Sequence, residues 1–390
     1  MNILLSPDSF KGTLTSSEVC DIIESALRNR IPDCNVIKLP AADGGEGLCS
    51  SFANFIDGEW ISAESKDPFG LSLRAEYYML ENGVAVIETA SCAGLPLAGD
   101  RADPTVTTTA GVGMFIRDAV NRGAKRIVLG LGGSATNDCG AGMASELDFR
   151  FLDKNNNSFV PVGGTLIDVE HIIPPEKPVD IPVVAACDVT NPLFGVDGAA
   201  YVFAPQKGAD AEALNTLEDG MKNIAALYDA AAGRKVSAEC GAGAAGGMGA
   251  MLSALLGAEL THGSAAVLNA VGFDALLGDT DLVITGEGQL DASSADNGKA
   301  VGEVVERCAA NSGGAVPVFI VAGRLGRGYE HIYELANAGV FSTIVTDEQP
   351  NADGDCEAET RLRLASERMF RCIASSFSVN SQRSGRGMRR

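Results

Sequence analysis

Six segments of this chain carry the residue types that phosphate and hydroxyl chemistry needs, and each follows an apolar run or opens a helical one. In Ser6-Pro7-Asp8-Ser9-Phe10-Lys11-Gly12, Asp8 supplies a carboxylate, Ser9 a hydroxyl and Lys11 a compact positive charge suited to phosphate. In Ala42-Asp43-Gly44-Gly45-Glu46-Gly47, two acids stand among three glycines, so Asp43 could meet a metal or a hydroxyl while Gly44 and Gly45 let the backbone come close. The run Gly130-Leu131-Gly132-Gly133-Ser134-Ala135-Thr136-Asn137-Asp138 has a strand before it and a helix after it. Such a loop can turn its backbone N–H groups toward an anion, with Gly132, Gly133, Ser134 and Asn137 as the contact candidates. Asp188, in Ala186-Cys187-Asp188-Val189-Thr190-Asn191-Pro192, ends a strand, which makes it a candidate general base or magnesium ligand. A further segment, Thr285-Gly286-Glu287-Gly288-Gln289-Leu290-Asp291, is followed by Gly298-Lys299, and Lys299 opens the next helix within reach of a phosphate. Each of these also has a plain structural reading as a turn, a cap or a surface ion pair.

The remaining segment, Gly241-Ala242-Gly243-Ala244-Ala245-Gly246-Gly247, matches the glycine spacing of a dinucleotide fingerprint, but Lys235 to Cys240 is a poor strand to precede one. A glycine-rich helix entry near phosphate fits better. No Walker A motif is present, because no glycine stands five residues before Gly298 and Ala300 replaces the required Ser or Thr. The three histidines, His171, His262 and His331, are too scattered to order a Ser-His-Asp set, and no Cys-x-x-Cys pair suggests structural zinc. Acids, glycines and a few lysines remain, which is the set that phosphoryl transfer uses for positioning, charge neutralisation and proton acceptance.

The elements that must hold these segments alternate. A strand at Ile3 to Leu5, a helix opened by the capping box Thr15-Ser16-Ser17-Glu18, and a strand at Val36 to Leu39 form a βαβ unit, which implies a parallel sheet. The middle begins with strands at Glu59 to Ser65, Leu73 to Leu80 and Val84 to Glu88, with Asn82-Gly83 as a hairpin turn. A helix over Val112 to Val120, strands at Ile127 to Leu131 and Pro182 to Cys187, and helices over Ala211 to Ala230 and Gly247 to Leu256 follow. Strands at Leu282 to Thr285, Val318 to Ala322 and Thr343 to Thr346 close the chain, with helices between them and a last one over Glu357 to Ser375. The expected fold is α/β in two domains: a flavodoxin-like doubly wound parallel sheet with a second α/β domain inserted in it. Residues 1–60 and 276–377 form the first, 61–275 the second, and 378–390 a disordered tail; a simple boundary near residue 150 is the competing division. A cleft between the domains is the natural ligand site.

Composition limits the partners. The formal net charge of −21 argues against nucleic acid and anionic membrane surfaces, and no apolar run reaches the length of a membrane span. Met1-Asn2-Ile3-Leu4-Leu5 runs into Ser6-Pro7-Asp8 with no signal-peptide pattern, so the ten cysteines read as reduced thiols of a cytoplasmic protein. Nothing in the sequence decides for or against a homo-oligomer.

Nine blocks in order across the chain resemble the glycerate kinase family: SPDSFKGTL (6–14), PAADGGEGL (40–48), DPFG (67–70), IETASCAGL (87–95), LGGSATNDCGAG (131–142), ACDVTNPLFG (186–195), FAPQKGA (203–209), GAGAAGGMG (241–249) and DLVITGEGQLD (281–291). The resemblance implies ATP and Mg²⁺, D-glycerate as acceptor and 2-phosphoglycerate as product; a kinase for another small hydroxy or sugar acid and a non-catalytic ligand sensor with this fold are the competing readings. It leads to Asp8, Lys11, Asp43 and Asp188 as catalytic candidates, with Asp188 or Asp43 taking the hydroxyl proton and Lys11 and Lys299 balancing charge. The amides of 132–134 and 286–288 would hold phosphate or the acid's carboxylate, and Asp188 and Asp291 are the magnesium-ligand candidates. Three positions depart from the family pattern: Cys139 stands where Gly is usual, Cys240 where Pro is usual, and the stretch between Asp291 and Gly298 is one residue longer and lacks a Gln.

Overall fold

A computed structural model describes residues 1–10, 13–39, 41, 47–295, 299–335, 338–343 and 354–387. The chain divides into two compact units, Met1–Ala42 with Val267–Arg390, and Asp43–Ala266.

The first unit begins with strand β1 (Asn2–Leu5), the helix Ser16–Arg28 and strand β2 (Asn35–Lys38). Thr15 caps the helix reciprocally: Glu18 N–H donates to Thr15 Oγ1, and Thr15 N–H donates to the Glu18 carboxylate. Val19, Cys20, Ile23, Ala26 and Leu27 form its buried face. Lys38 of β2 reaches back to Asp21 and Glu24, both at 2.6 Å.

The chain then builds the second unit. Strands β3 (Gly58–Lys66), β4 (Ser72–Leu80) and β5 (Val84–Glu88) come first, then the helix Ala110–Asn121 and β6 (Arg126–Gly130). A small antiparallel sheet of β7 (Arg150–Leu152), β8 (Ser158–Phe159) and β9 (His171–Ile173) follows, then β10 (Val183–Ala186), the helix Ala211–Ala232 and β11 (Glu259–Thr261). The main sheet runs β11-β10-β6-β5-β4-β3. Its first four strands are parallel and β4 and β3 are antiparallel. The four parallel strands therefore deliver their carboxyl ends, and the loops after them, to one edge.

Back in the first unit come β12 (Leu282–Leu290), the helix Ala300–Ala310, β13 (Val318–Leu325), β14 (Ala338–Ser342) and the last helix, Gly354–Gly387. The sheet order is β14-β13-β12-β1-β2, all parallel. This is the flavodoxin-like order, and it reverses direction between β1 and β12, where ligands sit at the carboxyl ends of such sheets. The two central strands do not alternate between apolar and polar residues. Leu4, Leu5, Val283 and Ile284 are all fully buried, as a sheet covered on both faces requires.

The unit boundaries fall at 42/43 and 266/267, beside the 60/61 and 275/276 read from the sequence. The stretch after residue 47 goes with the second unit for a physical reason: the helix Leu48–Ala53 packs on β5, Cys49 N–H donates to Glu88 at 2.7 Å, and β3 pairs with β4 along its whole length. Two strands differ from expectation. β12 continues to Leu290 because β13 keeps pairing with it as far as Leu325. The last strand is Ala338–Ser342, ahead of the β-branched run at 343–346, because Ala338 to Ser342 align with Val318 to Ala322 and Phe341 stacks edge-on against Phe319; residues 344–346 lie outside the described residues. The last helix extends into the segment read as a disordered tail, of which 388–390 lie outside the described residues.

Leu362, Ala365, Met369 and Phe370 of that helix are fully buried, and the helix packs against Ser16–Arg28. Phe370→Ala is therefore expected to lower stability by about 3–5 kcal/mol, read as the urea midpoint by circular dichroism.

Candidate active site

The residues singled out by the sequence fall into two groups, one on each unit. On the first unit they gather at the reversal between β1 and β12. Ser6 N–H donates to Ile284 O at 2.9 Å and Asp8 N–H to Gly286 O at 2.8 Å, so the chain leaving β1 follows β12 past the end of the strand. Thr285 Oγ1, fully buried, donates to Ser6 O at 2.8 Å. Asp8 Oδ1 accepts from Ser9 N–H at 2.7 Å, which closes the turn that carries both residues.

Gly286, Glu287 and Gly288 were expected in a loop with outward amides. They lie instead inside β12, where Gly286 and Glu287 pair in parallel with Val321 and Ala322 of β13. The glycines there serve close approach: a Cβ on Gly286 would stand 2.2 Å from Val321 O, and one on Gly323 would stand 2.4 Å from Gly288 O. Asp291 follows the strand end. Hydrogen bonds from Ser293 and then from Gln289 hold its carboxyl below the usual range, and the charge of Lys299 adds to them. Lys299 is exposed at the N-cap of the helix Ala300–Ala310. Lys11, Asp43, Gly44 and Gly45 lie outside the described residues.

On the second unit the carboxyl ends of β5, β6, β10 and β11 carry the other group. After β6 the loop is stitched to residues 93–95: Leu95 N–H donates to Gly133 O and Ala135 N–H to Ala93 O, both at 2.8 Å. Gly133 has φ +69°, the left-handed region. Among the described residues, the amides of Gly132, Gly133 and Ser134 donate to no acceptor. Successive unbonded N–H groups around a left-handed residue are a geometry that can accept an anion.

Asp138, fully buried, anchors the far end of this loop. Its carboxylate accepts from Thr109 N–H and Oγ1, both at 2.8 Å, from Gly140 N–H at 3.1 Å and from Gly142 N–H at 3.2 Å. Burial pushes its carboxyl up, and these bonds oppose the shift. Asn137 and Thr136 are also buried, and Asn137 Oδ1 and Thr136 Oγ1 have no hydrogen-bond partner among the described residues. Asp188, exposed two residues after β10, accepts from Gly263 N–H at 3.2 Å, at the start of the helix that follows β11. Because β6 and β10 are neighbours, Asp188 leaves the same sheet edge as the Gly132–Asn137 loop.

The glycine run at 241–247 is preceded by a 3-10 turn, Val236–Ala238, and not by a strand, so it is no dinucleotide fingerprint. Ala245, Gly246 and Gly247 are all left-handed, and a Cβ on Gly246 would stand 1.9 Å from Thr136 O. The run is a close crossing behind the 131–140 loop.

Sequence reasoning missed Lys207. It ends a 3-10 turn, Pro205–Lys207, with 2% of its surface exposed, and donates to Ser134 Oγ at 3.0 Å and Thr136 O at 2.7 Å. Burial pushes its ammonium down to about 7, against the opposing charge of Asp138. Its only signal in the sequence is its place in the block Phe203-Ala204-Pro205-Gln206-Lys207-Gly208-Ala209.

Comparison with known proteins bears on this arrangement. Residues 3–374 match the model of the glycerate kinase family. A glycerate kinase of Halalkalibacterium halodurans is 39% identical over 349 residues, covering 88% of this chain and 90% of that protein. A glycerate 2-kinase of Escherichia coli K12 is 40% identical over 301 residues, covering 75% of this chain and 78% of that protein. The crystal structure of a protein described as glycerate kinase 2 from Salmonella typhimurium LT2 superposes with a TM-score of 0.80 at 35% identity, covering 98% of this chain and 99% of that one.

The buried lysine gives a pH signature of stability. Its ordinary value of 10.5 falls to about 7 in the folded protein, so between these values the unfolded chain binds more protons. Stability then rises with pH across that window. Lys207→Met is expected to remove this rise, measured as the difference in urea midpoint between wild type and variant from about pH 7 to about pH 10.

Proposed function

This chain belongs to the glycerate kinase family and is a phosphotransferase with an alcohol group as acceptor; we propose that ATP is its donor, D-glycerate its acceptor and 2-phosphoglycerate its product. The observation that carries the site assignment is the run of three unbonded amides at Gly132, Gly133 and Ser134 on the sheet edge that also bears Asp188. Phosphoryl transfer asks the protein chiefly for positioning and charge stabilisation, and preorganised amides supply both without reorganising.

In this reading the amides of Gly132–Ser134 hold the anionic group, the carboxylate of the acid or a phosphate. Asp188, exposed at a strand end, takes the proton from the attacking hydroxyl, a role for which Asp43 is the alternative. On the first unit, Asp8 and Ser9 line the end of β1, and Lys11 and Lys299 offset charge on the transferring group. Among the described residues no three His, Cys, Asp or Glu side chains stand together as a ready metal cage. Mg²⁺ is commonly bound by one or two carboxylates together with substrate phosphates. Asp188 on the second unit and Asp291 on the first are the candidate carboxylates for it, and the ion would neutralise charge on the phosphate oxygens.

Among the described residues no helix is long and apolar enough to cross a membrane. ATP and glycerate are the partners in this reading, and the cytoplasm is the location.

The test is ADP release from Mg-ATP with and without D-glycerate, with the product identified by NMR. Glycerate-dependent ADP together with 2-phosphoglycerate is expected; ADP only with a different hydroxy acid moves the substrate and keeps the chemistry. Asp188→Asn is expected to lower kcat by about 100-fold or more with an unchanged circular dichroism spectrum. Near-normal turnover of that variant would remove Asp188 from the mechanism.

A further inference from the structure

Lys207 grips the Gly132–Asn137 loop from within the second unit and has no part in the chemistry above. Its nitrogen makes two hydrogen bonds, to Ser134 Oγ and Thr136 O. A neutral amine has two N–H groups and an ammonium has three. The arrangement present therefore matches the donors of the neutral amine. A third N–H would need another acceptor, and two buried oxygens of the same loop, Thr136 Oγ1 and Asn137 Oδ1, have no partner among the described residues. Donors and acceptors in this pocket would balance better with one more proton on the lysine.

The groups acting on Lys207 from the packing around it are Asp138 and Cys139, both of the loop. The carboxylate of Asp138 is already shared among Thr109, Gly140 and Gly142. Behind them stands Tyr228 of the helix Ala211–Ala232, whose hydroxyl donates to Cys139 O at 2.8 Å. The other members of the lysine's own turn, Pro205 and Gln206, carry no charge. Burial favours the neutral lysine against the opposing charge of Asp138, and a further anion nearby shifts that balance toward the ammonium.

Resting on the reading that the amides of Gly132–Ser134 hold an anion, we propose that Lys207 is the positioning residue of that loop and that anion binding draws a proton from solvent onto it. The anion sits on residues whose neighbours Lys207 already grips, so its field favours the ammonium. The ammonium gains a third donor for Asn137 Oδ1 or Thr136 Oγ1, and its charge in turn steadies the loop around the anion. By linkage, anion affinity falls as pH rises above about 7, the value at which the empty protein releases this proton.

The experiment is titration calorimetry of the full chain at about pH 8 with D-glycerate and, separately, with sulfate, each in two buffers of different ionisation enthalpy. Both anions are fully ionised there, so any proton taken up is the protein's. The expected result is a buffer-dependent heat that corresponds to uptake of up to about one proton per anion. Lys207→Met is expected to bind about tenfold more weakly, with no uptake. Lys207→Arg, charged at every pH, is a second variant expected to bind without uptake. A role confined to holding the fold would leave proton uptake unchanged wherever the variants fold. Wild-type binding with no uptake would overturn the coupling and leave the loop as the anion site. Uptake that persists in a folded Lys207→Met would assign the proton elsewhere and also overturn it. No binding of either anion by the wild type would remove the anion-site reading and this inference together.

Discussion

Four donors converge on the buried carboxylate of Asp138, and the loop after β6 is anchored by them. An ionised carboxylate taken out of water costs several kcal/mol unless its oxygens are fully occupied. Occupying them requires Thr109 at the start of one helix and Gly140 and Gly142 at the start of another to stand within hydrogen-bond reach of the same loop. That requirement in turn leaves no room for side chains at the meeting point: a Cβ on Gly142 would lie 2.1 Å from Thr108 Oγ1. The loop after β6 is thus fixed at its far end by a charge, and at its near end by backbone bonds to residues 93–95. Between these anchors lie Gly132, Gly133 and Ser134, whose amides make no bond of their own.

The first unit solves a similar problem without a buried charge. Its order reverses between β1 and β12, which opens a crevice at the strand ends. The chain from Ser6 to Asp8 follows β12 by backbone hydrogen bonds, and the buried hydroxyl of Thr285 ties Ser6 to it. Extending β12 to Leu290 carries Asp291 and the following turn well beyond the end of β1. Close packing of β12 on β13, allowed by Gly286 and Gly323, keeps that extension regular.

Much of this was legible in the sequence, for reasons that can be named. The capping box at Thr15 and the spacing of Val19, Ile23 and Leu27 read directly as a helix, and Asn82-Gly83 as a turn, with Gly83 at φ +89°. Local signals of that kind depend on neighbours in the chain. The reach of β12 and the position of β14 depend on pairing with β13, which no local pattern records. The three short strands β7, β8 and β9 were missed for the same reason: each has two or three residues and exists only through its partners. Glycines at 286 and 288 looked like a loop because close strand packing and anion cradles ask for the same residue. Lys207 was hidden because nothing in its local sequence says that a lysine there will be buried.

Cys139 shows how these constraints combine. Standing where the family pattern has glycine, it has φ +49°, the left-handed region where a side chain costs about 1–2 kcal/mol. Ala245, on the crossing segment behind it, is left-handed as well, at φ +50°. Such conformations persist only where the surroundings over-determine them. Here Cys139 N–H donates to Gly246 O, Cys139 O accepts from Tyr228, and Asp138 beside it is held by four donors. Two strained residues next to a loop with unbonded amides are what a rigid, preorganised anion site would contain, because a loop free to relax would turn those amides onto its own carbonyls. With the backbone held this firmly, a bound ligand finds few adjustable parts, and the side-chain nitrogen of Lys207 is one whose state can change without moving the chain.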